Sequence, residues 1–570
     1  MANDDGQTPQ EEWTPLFVGF SGDQDPFILR HCQFSDDYFN RQDWRCMRMY
    51  PNMDSIPMHF AVRSPPTMLN THSITDNTLF IQLVPDSHLD TRDKGLPICP
   101  KLPYTPEVRE TLLRTFFETV HTSLPLLDIP HFTKTAASNP SLVTIACRLA
   151  TPFRPELTAA AANTSWPEWR NYLHTSFATQ GRSPRLEMIE TGLLFAHRPT
   201  VTHRAPNLPG LWPQIGSLVG IAHEMGLNVD PSGWRIAEWE RKRRIRLWWA
   251  LLITDKWNAL GTGRPSYTHD ENWNVPMLSL DDVPSEGWYS SGSAGGVPRS
   301  AAHMFVAMAA LTTILSDILV KMYSIRSMRA GYAVVNQEGP FDLLDHFEQR
   351  LEVFEREHRL ALEAPGDQML NPSGTLVLAL YTVRMVLYRA VLRHPPSGQE
   401  EAESGPKRMS SLRFTAQALS TKLLMFVFGL TVTQLRAFWW VPLSRTNFAI
   451  AGSFMVNMLL SSTEQEEIAF WTAQIDRYRI LLEMHAASFD VVKLAVKRLE
   501  LITSVIENRV GNSDKEGTGP SVDDRQAIPA FFADETMIPE LGTLGSDIFS
   551  QGLDGFLDFS LVEEGGDVEW

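Results

Sequence analysis

The spacing of apolar and polar positions divides the chain into three stretches of different texture. Over residues 1–104 no long helical period is found. Pro51, Pro57, Pro65, Pro66 and Pro85 cut this stretch into short pieces, and only 79–84 alternates like a short strand. From Thr105 onward, apolar residues recur at helical spacing and strand-like alternation almost disappears. The expectation is an all-α body over 105–510, preceded by an irregular region at 1–104. A linker, GNSDKEGTG at 511–519, leads into a tail that closes the chain at 570.

Helix boundaries within the body are marked by local chemistry. Thr105-Pro106-Glu107 offers a hydroxyl cap, a proline at the first helical position and an acid near the positive end of the dipole. Leu112, Leu113, Phe116, Phe117 and Val120 follow on one face, and Pro125 ends the run. Ile215, Leu218, Val219, Ala222 and Met225 repeat the pattern, with Gly226 as the stop. The clearest helix is 238–260, with Ile245, Trp248, Trp249, Leu252, Ile253 and Trp257 on one face. Further helical runs are predicted at 301–323, 341–362, 372–393, 411–436, 446–462, 464–485 and 488–509. Loops are predicted at 284–299, 364–373 and 395–406.

Two of these runs raise the question of a membrane. Residues 446–463 carry no charge, yet include Asn447, Ser453, Asn457, Ser461 and Ser462. Residues 301–320 are apolar but hold His303 and Asp317. Both read as buried helices of a large folded body, so no membrane partner is expected. No secretory leader is read in the acidic, polar opening MANDDGQTPQEEW.

Charge changes the picture at the C-terminus. The net charge is −17, and residues 521–570 alone hold twelve acids against the single base Arg525. That leaves −6 for the first 520 residues, which is not the balance of a chain that grips nucleic acid by itself. Interleaved with those acids are Phe549, Leu553, Phe556, Leu557, Phe559 and Leu561. Like charges and scarce apolar area keep such a segment from folding alone. Its bulky residues suit a shallow partner groove, which is the composition of an activation segment; the plainer alternative is an ordinary disordered tail.

Enzyme signatures are not found. His223-Glu224 is not completed to a zinc helix, Gly261-Thr-Gly-Arg264 is too glycine-poor for a phosphate cradle, and Gly19-Phe-Ser21-Gly-Asp23 lacks the last glycine of a nucleophile elbow. Cys32, Cys46, Cys99 and Cys147 are too far apart for a zinc knuckle or a disulfide framework. No catalytic residue, metal ligand or cofactor is expected. The basic cluster Arg241, Lys242, Arg243, Arg244 and Arg246 reads either as a solvated, ion-paired first turn or as a nuclear-import or phosphate-binding patch. Glu238 and Glu240 stand four residues ahead of Lys242 and Arg244, the favourable order for helical ion pairs.

The block at 211–277 resembles the middle homology region of fungal-specific transcription factors. A helix closes in Gly226-Leu227. Glu240, a basic run with Arg243 and Arg244, and the pair Trp248-Trp249 follow. Then come Asp255, the triplet Gly263-Arg264-Pro265, the acids Asp270 and Glu271, and Pro276. The segment FFETVHTSLPLLDIPHF at 116–132 resembles the start of the same domain, so the likeness spans roughly 105–510. A shorter likeness, LFVGFSGDQDPFILRHCQFSD at 16–36, is to the TamA-type nitrogen coactivators.

This resemblance implies an all-helical regulatory domain and a nuclear transcriptional activator or coactivator of metabolic or biosynthetic genes. It also implies homo- or heterodimerisation and possible control by a small-molecule effector. The six-cysteine zinc cluster usual in this family is not among these residues. The expectation is therefore either a DNA-bound transcription factor as partner, with the tail recruiting transcription machinery, or an exon lying upstream of Met1. A sensor or inhibitory partner of such a factor is the alternative, and an all-helical enzyme the third reading. The three tryptophans Trp248, Trp249 and Trp257 read as core. Arg264 is expected to tie down a loop or to hold an acidic effector.

Overall fold

In a computed structural model the described residues are 13–18, Leu29, several between 34 and 49, 79–85, 98–157, 166–198, 210–284, 299–330, 338–363, 370–393 and 399–502, less 103 and 182. The linker at 511–519, the tail residues Phe549, Leu553, Phe556, Leu557, Phe559 and Leu561, Cys32, and most of the loops expected at 284–299 and 364–373 lie outside them. The described residues belong to one compact unit that ends at Ile502.

The N-terminal stretch contains more regular structure than its prolines suggest. Strands β1 (Trp13–Phe17), β2 (Tyr38–Arg41), β3 (Trp44–Met49) and β4 (Leu79–Pro85) form an antiparallel sheet in the order β1-β4-β3-β2. Only β4 was legible from alternation. The other three are short: β2 and β3 form a local hairpin, and β1 and β3 are held by the distant β4, as when Trp13 pairs with Pro85 and Arg45 with Leu83. Period-two alternation then sorts the faces. Ile81, Leu83 and Met49 pack on Val229, Trp234 and Ile236 of the helical body, while Phe80 and Cys46 pack with Val18 and Leu29 on the other side.

The body is helical, as the pattern requires. Thr105 caps α1 (Pro106–Thr115), its side chain accepting from the Val108 N–H, and the chain continues through a wider turn at Phe116–Val120 before Pro125. Between Pro125 and Leu211, where apolar spacing gives no clear period, lie α2 (Ile129–Thr135), α3 (Pro140–Ala150), α4 (Trp166–Gln180) and α5 (Leu186–Ala196). Next come α6 (Leu211–Glu224) and α7 (Glu238–Thr262). Then follow α8 (Arg299–Tyr323), α9 (Ile325–Ala330), α10 (Pro340–Glu357), α11 (Arg359–Leu362) and α12 (Ser373–Arg393).

The loop expected at 395–406 gives way to α13 (Gln399–Phe428). Gly405-Pro406 reads locally as a breaker, but Pro406 sits inside the helix, where it forfeits one backbone hydrogen bond without ending it. Gly429 does end it. A capping box from Thr431 to Gln434 then starts the short α14 (Val432–Leu435), so the run predicted at 411–436 is two helices. The chain continues with α15 (Val441–Ser461), α16 (Gln465–Ala486) and α17, the helical residues 493–502.

Helix α7 packs against α5, α6, α8 and α15; α15 in turn packs against α12 and α16. Among the described residues two helical stretches, Ala302–Arg329 (α8 into α9) and Ser373–Arg393, are long and apolar enough to cross a membrane, yet most of the apolar window of each is buried. Phe448, Ala451, Phe454 and Met455 of α15 are buried in the same way.

The sheet meets the body at a glycine. Gly226 has φ of 65°, and a Cβ there would lie 2.8 Å from the Phe17 ring and 3.0 Å from Trp234. Phe17 stacks on Trp234 with centroids 6.3 Å apart. Gly226→Ala therefore combines left-handed strain with a clash and is expected to cost about 1–3 kcal/mol. Gly263→Ala, with φ of 64° but open space around it, should cost less. Urea unfolding of the two variants side by side checks this.

Candidate functional site

The block that carried the family likeness is assembled around α7. Its burial is not confined to one face: every residue from Arg243 to Leu260 except Asn258 is buried. The expected solvated basic turn is therefore corrected. Arg243, Arg244 and Arg246 lie inside the protein, where an unpaired charge would be costly, and each is engaged by groups from elsewhere in the fold.

Arg243 reaches α5. Its Nε donates to Glu190 Oε1 at 2.7 Å, and its Nη2 donates to Glu190 Oε2 at 2.8 Å and to Glu187 Oε1 at 2.9 Å. His131 of α2 joins the cluster beside Glu187 and stacks on Trp239. Burial opposes the charge on Arg243, but the two carboxylates outweigh it and hold its pKa above the ordinary range. Burial alone would lift Glu187; the His131 hydrogen bond and the Arg243 charge instead keep it well below the usual carboxylate range.

Arg244 pairs with Glu240 at 3.3 Å, the predicted i,i+4 pair, as Lys242 does with Glu238. It also donates to the Met225 carbonyl at the end of α6 and lies over the Trp234 ring. A cation thus meets the negative end of that helix, directly before Gly226. Leu227 is buried, and its N–H closes the turn on the Ala222 carbonyl. Arg246 donates to the Asp282 carbonyl at 2.6 Å, and burial pushes its pKa down to about 10.

The far end of α7 is tied by Asp255. Its fully buried carboxylate accepts from Ser266 Oγ, Thr268 Oγ1 and the backbone N–H groups of Tyr267 and Thr268. Lys256, equally buried, donates to the Thr268 carbonyl at 2.7 Å and faces Asp270, which accepts from Ser316 of α8. Gly263 provides the left-handed cap, and the Arg264 N–H bonds back to Ala259. The Arg264 side chain is exposed over Trp212, and Trp212 Nε1 donates to the Pro265 carbonyl. Trp248, Trp249 and Trp257 are core; Trp249 donates to the Pro276 carbonyl and Trp257 to Thr312. Asp270 and Glu271 are exposed on the returning loop.

The structure thus gathers Gly226, Leu227, Glu240, Arg243, Arg244, Trp248, Trp249 and Asp255 into one clasp on α7. Gly263, Arg264 and Pro265 lie at its exposed end. Sequence reasoning missed the partners: Glu187, Glu190, His131, Trp234, Ser266 and Thr268. The one available signal was a pair of acids three residues apart in the otherwise apolar α5. A cavity between α5, α6, α7 and α15, with His197, Ile215, Trp257, Asn258 and Trp440 in its walls, has free space of about water size. His197 Nδ1 and Asn258 Nδ2, on residues of its wall, have no hydrogen-bond partner, but the surface of the cavity is almost wholly apolar. Among the described residues no three His, Cys, Asp or Glu side chains gather as a metal site.

Residues 113–331 match the profile described as the fungal specific transcription factor domain. The chain therefore carries that domain, and α1 to α9 fall within or across it. Its relatives are fungal regulators. Transcriptional activator protein DAL81 of Saccharomyces cerevisiae is 25% identical over 451 residues, covering 69% of this chain and 44% of that protein. An uncharacterized transcriptional regulatory protein of Schizosaccharomyces pombe is 22% identical over 404 residues, covering 68% and 56%. Cutinase transcription factor 1 beta of Fusarium vanettenii is 25% identical over 265 residues, covering 41% and 28%. The chain spans about half the length of the first two. No solved structure matches it.

Two outcomes follow from this geometry. Glu190→Gln strips Arg243 of its bidentate partner and should lower stability by about 3–5 kcal/mol. Adding Arg243→Met should recover part of that loss in a double-mutant cycle read by denaturant unfolding. Burial holds His121 neutral, down to about 3, and His197, down to about 4. An unfolded histidine protonates near pH 6.5, so stability is full above that pH and is lost as pH falls toward the folded values. His197 alone contributes about 3 kcal/mol of this loss. Unfolding between pH 7.5 and 4 should show the decline, and His197→Gln should flatten it.

Proposed function

We propose that this chain is a nuclear transcriptional regulator, an activator or coactivator of metabolic or biosynthetic genes. The observation that carries the reading is the match of 113–331 to the fungal specific transcription factor domain, together with relatives named as transcriptional activators and regulators. The clasp around α7 supports a binding and regulatory body rather than a catalytic one. Its buried charged residues are spent on holding helices and loops to each other.

In this reading the domain at 105–510 dimerises or docks, and the segment 511–570 recruits transcription machinery through Phe549, Leu553, Phe556, Leu557, Phe559 and Leu561. The four cysteines of these 570 residues stand far apart, so in this reading DNA is reached through a bound partner or through a zinc cluster encoded upstream of Met1. Gly263, Arg264 and Pro265, exposed beside Trp212, are the family-motif residues left for a regulatory contact, including one with an acidic effector.

A tethered reporter tests the reading. The full chain, and a version ending at Val510, are fused to an unrelated DNA-binding module in a fungal host. Strong activation by the full chain and its loss on truncation are expected. A silent, well-expressed nuclear fusion would overturn the autonomous-activator reading.

A further inference from the structure

The C-terminal half of the body presents a helix face that its own fold leaves open. On α13, the residues Phe414, Ala418, Thr421, Met425 and Phe428 are all exposed. The three large ones are 72%, 69% and 75% exposed. Their spacing alternates four, three, four, three, which is the a/d spacing of a helix seam that packs knobs into holes on a second helix. The opposite side of α13 is the one turned to the core, with Leu412, Ala416, Leu419, Leu423 and Val427 buried. On the neighbouring α16, joined to α13 by Gln474 to Thr421 and by His485 to the Val427 carbonyl, Ile480 and Met484 are exposed as well. Isolated surface hydrophobics are ordinary; a row of them in register along one helix is the form of a docking surface.

Charge selects the occupant. From 404 to 463 the chain has no Asp or Glu, but it has Lys407, Arg408, Arg413, Lys422, Arg436 and Arg445. Arg408 and Arg413 pair with Asp345 and Glu467, while Lys407, Lys422 and Arg436 are exposed and form no ion pair among the described residues. A second copy fits poorly. The middle of the seam is Thr421, and a two-fold axis there would bring each Lys422 against the partner's Lys422, a like-charge contact that disfavours the pair. An acidic partner places its charge where the lysine is.

The geometry points to α13 as the docking face for an acidic amphipathic helix of another protein, its apolar residues at heptad spacing against Phe414, Met425 and Phe428 and its carboxylates against Lys422. This rests on the reading above in one respect, that the chain is brought to its genes by a partner.

The test uses the full chain and two labelled synthetic helices of about three heptads, both with leucine at a and d, one flanked by glutamate and the other by lysine. Fluorescence anisotropy should show binding of the acidic helix and not the basic one. Phe414→Ser with Phe428→Ser should weaken it by about thirtyfold or more, since buried aromatic anchors dominate such contacts. Lys422→Glu should reverse the preference. These side chains are exposed, so far-ultraviolet circular dichroism of the variants should match the parent.

Equal binding of both helices, or binding untouched by the seam variants, overturns the proposal. So does a concentration-dependent dimer of the chain that Met425→Glu abolishes, because a second copy then covers the seam. The tethered reporter separates the two readings. Seam variants tethered to DNA should activate like the parent, because the tether replaces recruitment. A silent parent fusion counts against the functional reading alone.

Discussion

Charges buried along a helix must each be answered by a partner, and α7 buries six. Glu240, Arg243, Arg244, Arg246, Asp255 and Lys256 are all nearly inaccessible, and Glu240 and Arg244 answer each other within the helix. An orphaned charge in that position would cost several kcal/mol, a large share of the total stability of a fold. The solutions are specific: two glutamates from α5, the carbonyl end of α6, the Asp282 carbonyl, and the returning loop at 266–270. Each solution fixes the place of another element. The α6 turn then fixes the sheet, because Gly226 lets Phe17 and Trp234 stack where a side chain would stand.

This explains why, among the described residues, those that carry the domain likeness are spent on ties. Glycines, acids, arginines and tryptophans in fixed order look like a site when read along the chain. In space they are the ties of a buried helix. Asp255 is fully buried and accepts from four donors, all within the returning loop, so its carboxylate serves the tie. Among the described residues, Gly263, Arg264 and Pro265 and the seam on α13 are exposed.

The two halves of the body use charge differently. Around α7, the buried charges each meet a polar group, Arg246 through the Asp282 carbonyl alone, with its Nε and Nη2 left without a partner. Along α13 from Lys407 onward they are basic, and Lys407 and Lys422 are exposed without an ion pair among the described residues, beside apolar residues at helical register. The first arrangement suits a fixed frame. The second suits a surface completed by a partner, where exposed positive charge also hastens encounter with an acidic helix.

Periodicity along the chain sufficed for the all-α body, the cap at Thr105, the extent of α7, its two i,i+4 ion pairs and the core role of its tryptophans, because each depends on residues within one or two turns. Three of the four strands, the helices between Pro125 and Leu211, and the continuation of α13 through Pro406 were not legible. Apart from the local β2–β3 hairpin, their stability comes from pairing and packing with residues far away in sequence, which overrides weak local preference. The basic run at 241–246 shows the limit most clearly. Its composition is equally that of a solvated turn, an import signal or a buried network. Only the position of Glu187 and Glu190, more than fifty residues earlier in the chain, decides among them. Local sequence specifies which residues share a helix face; whether that face meets water, an acid or another helix is a property of the tertiary structure alone.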